Sequence, residues 1–317
     1  MKKILMAILL LIGTVHDTTA QEIAVVNGST LKTCTTLLQA VRNATDGSII
    51  YLPAGGFQIG DTVRITHRVS IIGLNHKAKS DNADGMTSIS GSLYFDEGSD
   101  GSIVMGCYIS GNVMIGYDDK AVHNIFVRYC NLNAVQVKSN LCTGTTVNQS
   151  YIRNTCSFNG APAILTNNVM NGTSGLNGGL VDYNVVRGSI GCSSTTITNN
   201  VLLSTPSSYS GPTSNNMTLN TTWGDNPLKV EAASWNDVFE NPDPGISSRA
   251  NYHFKEGYEE YEYQVGIYGG KRASSSVKYF HDDALPPVPY INAKTVPEST
   301  DFDGMLKVSL TVKDGNK

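Results

Sequence analysis

The residues best suited to chemistry are Arg153, Arg187 and Asp182, set in a stretch otherwise nearly free of charge. A polysaccharide lyase needs a base for the proton beside a uronate carboxylate, and a cation to neutralise that carboxylate. Two arginines and an aspartate fit that need, with calcium as the added cofactor if the arginines do not suffice. A glycosidase instead needs two carboxyl groups within about 5 to 10 Å of each other. Between Gly101 and Leu203 the acidic residues are Asp118, Asp119 and Asp182 alone. The first two share a turn and the third is far along the chain, so a glycosidase is disfavoured. His123 precedes a strand without a Ser or Cys nucleophile beside it, and no GxSxG, P-loop or dinucleotide fingerprint occurs. No CxxC or Cys/His spacing predicts a metal site.

The elements that must position these groups come from a repeat. Six segments read aliphatic, two variable residues, then Cys, Ser or Asn, one more residue and a second aliphatic: Val104 to Ile109, Val127 to Leu132, Val147 to Ile152, Leu165 to Met170, Val181 to Val186 and Ile197 to Leu202. Their fourth positions, Cys107, Cys130, Ser150, Asn168, Asn184 and Asn200, are 23, 20, 18, 16 and 16 residues apart. A unit of about 20 residues with two short apolar strands cannot bury its own face, so copies must stack around a shared core. The repeat therefore predicts a β-solenoid. The fourth position is expected at a sharp corner, where Asn tolerates left-handed backbone angles, and its stacked side chains can bond along the axis. A weaker seventh copy spans Thr213 to Leu219.

Counted from that corner, Arg153, Asn171 and Arg187 share one column, with the two arginines roughly 10 Å apart along the axis. Arg128 and Asp182 share another. Such columns can grip an acidic sugar chain, or simply keep the surface soluble. Tyr258, Tyr261 and Tyr263, spaced among glutamates, are the tyrosines expected to be exposed for stacking on sugar rings. Arg128, Asn171 and these three tyrosines are the candidate binding residues.

Lys2 and Lys3 precede the apolar run Ile4 to Ile12, and Thr18-Thr19-Ala20 offers a cleavage point, the pattern of an export signal over residues 1–20. The run is too short to span a bilayer, and nothing later is long and apolar enough. The net charge is −4 with only 16% charged residues, and without a basic stripe a nucleic-acid partner is disfavoured. Export allows the six cysteines to pair. Cys107 and Cys130 nevertheless occupy one column in which Ser and Asn substitute, which favours buried free thiols.

At the N-terminal side, Cys34, Leu37, Leu38 and Val41 mark a helical face with Ser29 or Thr30 as its cap, predicting a helix over the open end of the solenoid. Next come Asp46-Gly-Ser-Ile-Ile-Tyr-Leu-Pro-Ala-Gly-Gly-Phe-Gln-Ile59 and Val69-Ser-Ile-Ile-Gly-Leu-Asn75. This order resembles the opening of pectate-lyase-like right-handed parallel β-helix proteins, and Val265-Gly-Ile-Tyr-Gly-Gly270 resembles the closing phrase of a group of secreted bacterial β-helix proteins. Val265 stands where that phrase usually has Asp. The resemblance covers Thr30 to Gly270 and implies the fold more than an activity, because these folds host lyases, hydrolases, adhesins and inert scaffolds. Asn75 to Met86 is a polar excursion and the first loop to search for ligand contacts. Leu285-Pro-Pro-Val-Pro289 is a stiff connector, followed by strands over Tyr290 to Val296 and Met305 to Lys313. These form a hairpin that lies along the solenoid or pairs with another protein.

The reading is an all-β right-handed parallel β-helix with an N-terminal capping helix and a small C-terminal strand appendage. Its boundaries are residues 1–20 for the export signal, 21–46 for the cap, 47–270 for the β-helix, and 271–317 for the linker and hairpin. The expected function is a noncatalytic exported protein, periplasmic, cell-surface or extracellular. It would contact complex carbohydrate or a surface partner through its long face. A lyase acting on uronate-containing glycans and a purely structural or adhesive module are the alternatives.

Overall fold

Short strands of alternating aliphatic and polar residues wind into a right-handed parallel β-helix of about eight turns in the computed structural model of the chain. Described are residues 22–77, 85–117, 120–206, 209–242 and 250–270, together with the strands Tyr290–Thr295 and Ser309–Lys313. The expected export signal and most of the polar excursion lie outside the described residues. One face consists of nine parallel strands, running from Ser48–Tyr51 through Ile103–Met105 and Thr145–Asn148 to Thr213–Ser214. Each turn then rounds a corner into a two-residue strand such as Tyr108–Ile109, and continues into a third strand such as Val113–Ile115.

Ladder register places the aliphatic residues directly above one another. Ile71, Val104, Val127, Val147, Leu165, Val181 and Ile197 form one inward column. Ile89, Ile109, Leu132, Ile152, Met170, Val186 and Leu202 form a second. All of them are buried. Each contributes about 1.5–3 kcal/mol by leaving water, and it does so only because the turns above and below supply the other half of its contacts.

Cys107, Cys130, Ser150, Asn168, Asn184 and Asn200 also stack, continued by Asn216, and all are fully buried. The corner itself corrects the sequence reading by one residue. The left-handed angle belongs to the third position, with φ of 70° at Gly106, 47° at Tyr129, 51° at Gln149, 53° at Asn167, 54° at Tyr183, 54° at Asn199 and 53° at Asn215. The following residue then points inward, where an Asn amide can bond to the turns on both sides. The backbone N–H groups of Ser150, Asn168, Asn184 and Asn200 donate to the side-chain oxygen one turn ahead at 3.0, 2.9, 2.8 and 3.0 Å. Each Asn Nδ2 donates back to a carbonyl of the turn behind, as Asn168 does to Val147 at 2.9 Å. The polar column thus satisfies its own groups inside an apolar core.

The N-terminal region differs from the single capping helix expected over 21–46. Ile23–Asn27 and Thr30–Cys34 form an antiparallel hairpin that joins the edge of the first sheet by pairing with Ser48–Tyr51. The helix is confined to Leu37–Asn43, with Thr36 rather than Ser29 or Thr30 as its N-cap, accepting from the Gln39 N–H. Leu37, Ala40 and Val41 are its buried residues, whereas Leu38 is 41% exposed and Cys34 belongs to the preceding strand. The helix packs on the hairpin and on Gly55–Ile65. At the other end, Tyr290–Thr295 pairs antiparallel with Ser309–Lys313.

Candidate functional site

The column expected to hold Arg153, Asn171 and Arg187 is interrupted at Arg153. Ile152, Met170 and Val186 are in register, but the ladder shifts directly after Ile152 and Met170, so that Thr155 meets Gly172. Asn171 and Arg187 follow their paired residues, whereas Arg153 lies in the irregularity. The three side chains have different partners. Arg153 reaches back over two turns: Nη1 donates to Asn131 Oδ1 at 2.5 Å, and Nη2 donates to the carbonyls of Ile109 at 2.9 Å and Ser110 at 3.1 Å. Its guanidinium carbon stands 4.8 Å from the Tyr108 ring centroid. Burial lowers the Arg153 pKa from its ordinary value, since every polar partner here is neutral. Asn171 donates to Thr155 Oγ1 at 3.2 Å. Arg187 is half-buried and makes no ion pair among the described residues.

Asp182 stands on the other side of the corner, on the first face. Its Oδ1 accepts from Thr198 Oγ1 at 2.9 Å and Asn199 Nδ2 at 2.8 Å, both one turn ahead. Burial pushes the Asp182 carboxyl above its ordinary value, against the opposing pull of these hydrogen bonds. Arg128 shares its column through Asn148 and Thr166, three steps away in register. Arg128 Nε donates to Asn148 Oδ1 at 3.0 Å and its guanidinium carbon lies 5.8 Å from the Tyr129 ring. Arg128 and Asp182 thus occupy separate hydrogen-bonded pairs, roughly 14 Å apart along the axis. Among the described residues no group of three or more His, Cys, Asp or Glu is arranged to hold a metal ion. No described helix is long and apolar enough to cross a membrane.

The three late tyrosines divide. Tyr263 is 52% exposed, as expected. Tyr258 and Tyr261 are half-buried because the closing segment packs them against a second apolar cluster. That cluster is built on the outward column Tyr151, Val169, Val185, Val201 and Met217, which Phe239, Tyr252, Phe254 and Ile267 cover. The segment is pinned at its end, where Asn167 Nδ2 donates to the carbonyls of Ile267 at 3.1 Å and Gly269 at 3.0 Å. Val265 is buried in this apolar cover.

Sequence reasoning missed two groups. His76, in the polar excursion, is buried against Tyr151 with ring centroids 5.7 Å apart, and its Nδ1 has no hydrogen-bond partner among the described residues. Desolvation lowers its pKa to about 3, so it is neutral at ordinary pH. The other group is Arg64, held by Asp96 beside Tyr94 and Tyr117. Arg64 and Tyr94 lie in the early turns, before the legible repeat begins, so only the ladder register reveals that they are neighbours. Compared with protein-family models, curated proteins and solved structures, the chain matches none of them.

Proposed function

We propose that this is an exported, noncatalytic β-helix protein that contacts complex carbohydrate, or another cell-surface partner, through its elongated surface. The observation that carries the reading is the use already made of the best chemical groups. Arg153 is bonded to Asn131 and two main-chain carbonyls, and Asp182 to Thr198 and Asn199. A general base must be free to take a proton from substrate, and a charge-neutralising arginine must offer its N–H groups to a carboxylate. Both groups instead tie successive turns together. The order of motifs that resembles pectate-lyase-like proteins is in keeping with such a scaffold, and the lysine-led apolar leader with export.

Native gels cast with individual polysaccharides test the reading: retarded migration of the purified protein without breakdown of the polymer is expected. Equal mobility in every gel would overturn carbohydrate contact and leave a protein partner at the cell surface. Arg187, which makes no ion pair among the described residues, favours a second reading, a lyase acting on uronate-containing glycans. An ultraviolet-absorbing unsaturated product, formed with or without calcium and lost in Arg187→Ala, would establish that alternative.

A further inference from the structure

We infer that the third face of the β-helix carries a neutral-glycan subsite formed by Tyr117, Tyr94 and Arg64, an inference that rests on the carbohydrate-contact reading above. Arg64 and Tyr94 are paired in register on neighbouring strands. Asp96, only 6% exposed, holds the guanidinium through Nε at 2.5 Å and through Nη2. The guanidinium carbon lies 5.4 Å from the Tyr94 centroid and 5.9 Å from that of Tyr117. The two rings meet edge to face at 6.1 Å and 76°. Tyr94 OH donates to the Gly116 carbonyl at 3.0 Å, anchoring the loop from which Tyr117 projects.

This arrangement leaves a fixed aromatic surface beside fixed donors. Tyr117 is 51% exposed and the Arg64 side chain 58% exposed, although Asp96 behind them is buried. An amphipathic ring offers its face to the C–H face of a sugar, and the guanidinium edge offers N–H groups to the hydroxyls. Because Tyr94, on which Tyr117 packs edge to face, is tied to Gly116 and the guanidinium is tied to Asp96 before any ligand arrives, less freedom is lost on binding. Charge selects the class of sugar. Arg64 is balanced by Asp96 and Lys120 by Glu97. A site with no cationic excess gives a uronate chain no attraction, so the fitting ligand is neutral. Tyr94 continues in register to Met114 and Gln136 on the next two turns, an outward row along which a polymer can extend.

The test is native-gel retardation of the full chain and its variants in xyloglucan, galactomannan and polygalacturonate. The wild-type protein is expected to be slowed by at least one neutral polymer more than by polygalacturonate. Tyr117→Ala should weaken that retardation roughly tenfold in apparent Kd, the size of one lost aromatic contact, and Tyr117→Phe should retain it. Wild-type and Tyr117→Ala proteins slowed equally by a neutral gel would overturn the subsite while leaving the carbohydrate reading intact. Stronger retardation by polygalacturonate would overturn the neutral class. A wild-type protein slowed by none of the gels would overturn the carbohydrate reading and the subsite with it. An unchanged thermal midpoint for Tyr117→Ala separates loss of binding from loss of fold.

Discussion

Asn184 and Asn200 are bonded twice through one oxygen: Asn200 Oδ1 accepts the Asn184 backbone N–H at 2.8 Å and its Nδ2 at 3.0 Å. The same Nδ2 also reaches back to the Leu165 carbonyl at 2.8 Å, so one buried side chain links three turns. Asn184→Ala removes the acceptor that Asn168 uses for both its N–H and its Nδ2, and leaves buried groups without partners. The expected loss is about 2–4 kcal/mol. Urea unfolding followed by circular dichroism measures it. Asn154→Ala, whose exposed side chain donates to Asn133 at 2.7 Å, serves as control and should change stability by less than about 0.5 kcal/mol.

Gly269 is where the closing segment meets the corner column. A Cβ there would stand 2.3 Å from Cδ1 of Tyr183, whose own backbone is left-handed. Gly269→Ala should detach the segment locally, at a cost of about 1–3 kcal/mol. Hydrogen exchange is expected to quicken over 250–270 and to stay unchanged in the rungs around Val127 and Val147. Uniform change throughout the solenoid would contradict this.

His76 links stability to pH. Its folded pKa of about 3 lies below the ordinary 6.5, so burial favours the neutral ring. The stability it contributes is complete above 6.5 and is lost as pH falls from 6.5 toward 3. His76→Phe should flatten that part of the stability profile. Parallel acid profiles for the two proteins would show that His76 does not carry the effect.

Asp182 has the opposite sign. Its folded pKa is raised, so its contribution is present below the unfolded value and is lost as pH rises through the folded one. Asp182→Asn keeps an oxygen for Thr198 and Asn199 and removes the charge. The variant should unfold at higher temperature near neutrality, with the gap closing below about pH 3.9, where the unfolded carboxyl is also protonated.

All six cysteines are free thiols, five buried and Cys192 half-buried. Burial pushes Cys130 and Cys156 up to about 12 and Cys107 well above its ordinary value, which suppresses the reactive thiolate. Iodoacetamide at mildly alkaline pH should label Cys192 more than roughly tenfold faster than these three until the protein is unfolded. Peptide mapping by mass spectrometry reads the order. Intact cystine peptides from unreduced protein would contradict it.

What the amino-acid order determined by itself was the rung. Val104, Val127, Val147 and their successors recur at one turn's length, and such a unit is stable only when stacked, so spacing alone implied the solenoid and its inward columns. The corner was legible to within one residue. In Asn167-Asn168, Asn199-Asn200 and Asn215-Asn216 both positions are Asn, and residue type cannot say which takes the left-handed angle and which turns inward. Tertiary structure decided that, and it decided the fate of the polar candidates. Arg153 is bonded to groups 22 to 44 residues away, and Arg64 meets Tyr117 only because successive turns stack. Membership of the inward columns follows from periodicity, which is local. Whether a charged side chain is free for a ligand depends on neighbours brought in by the winding and by the closing segment, and those distances are not encoded in any window of the chain.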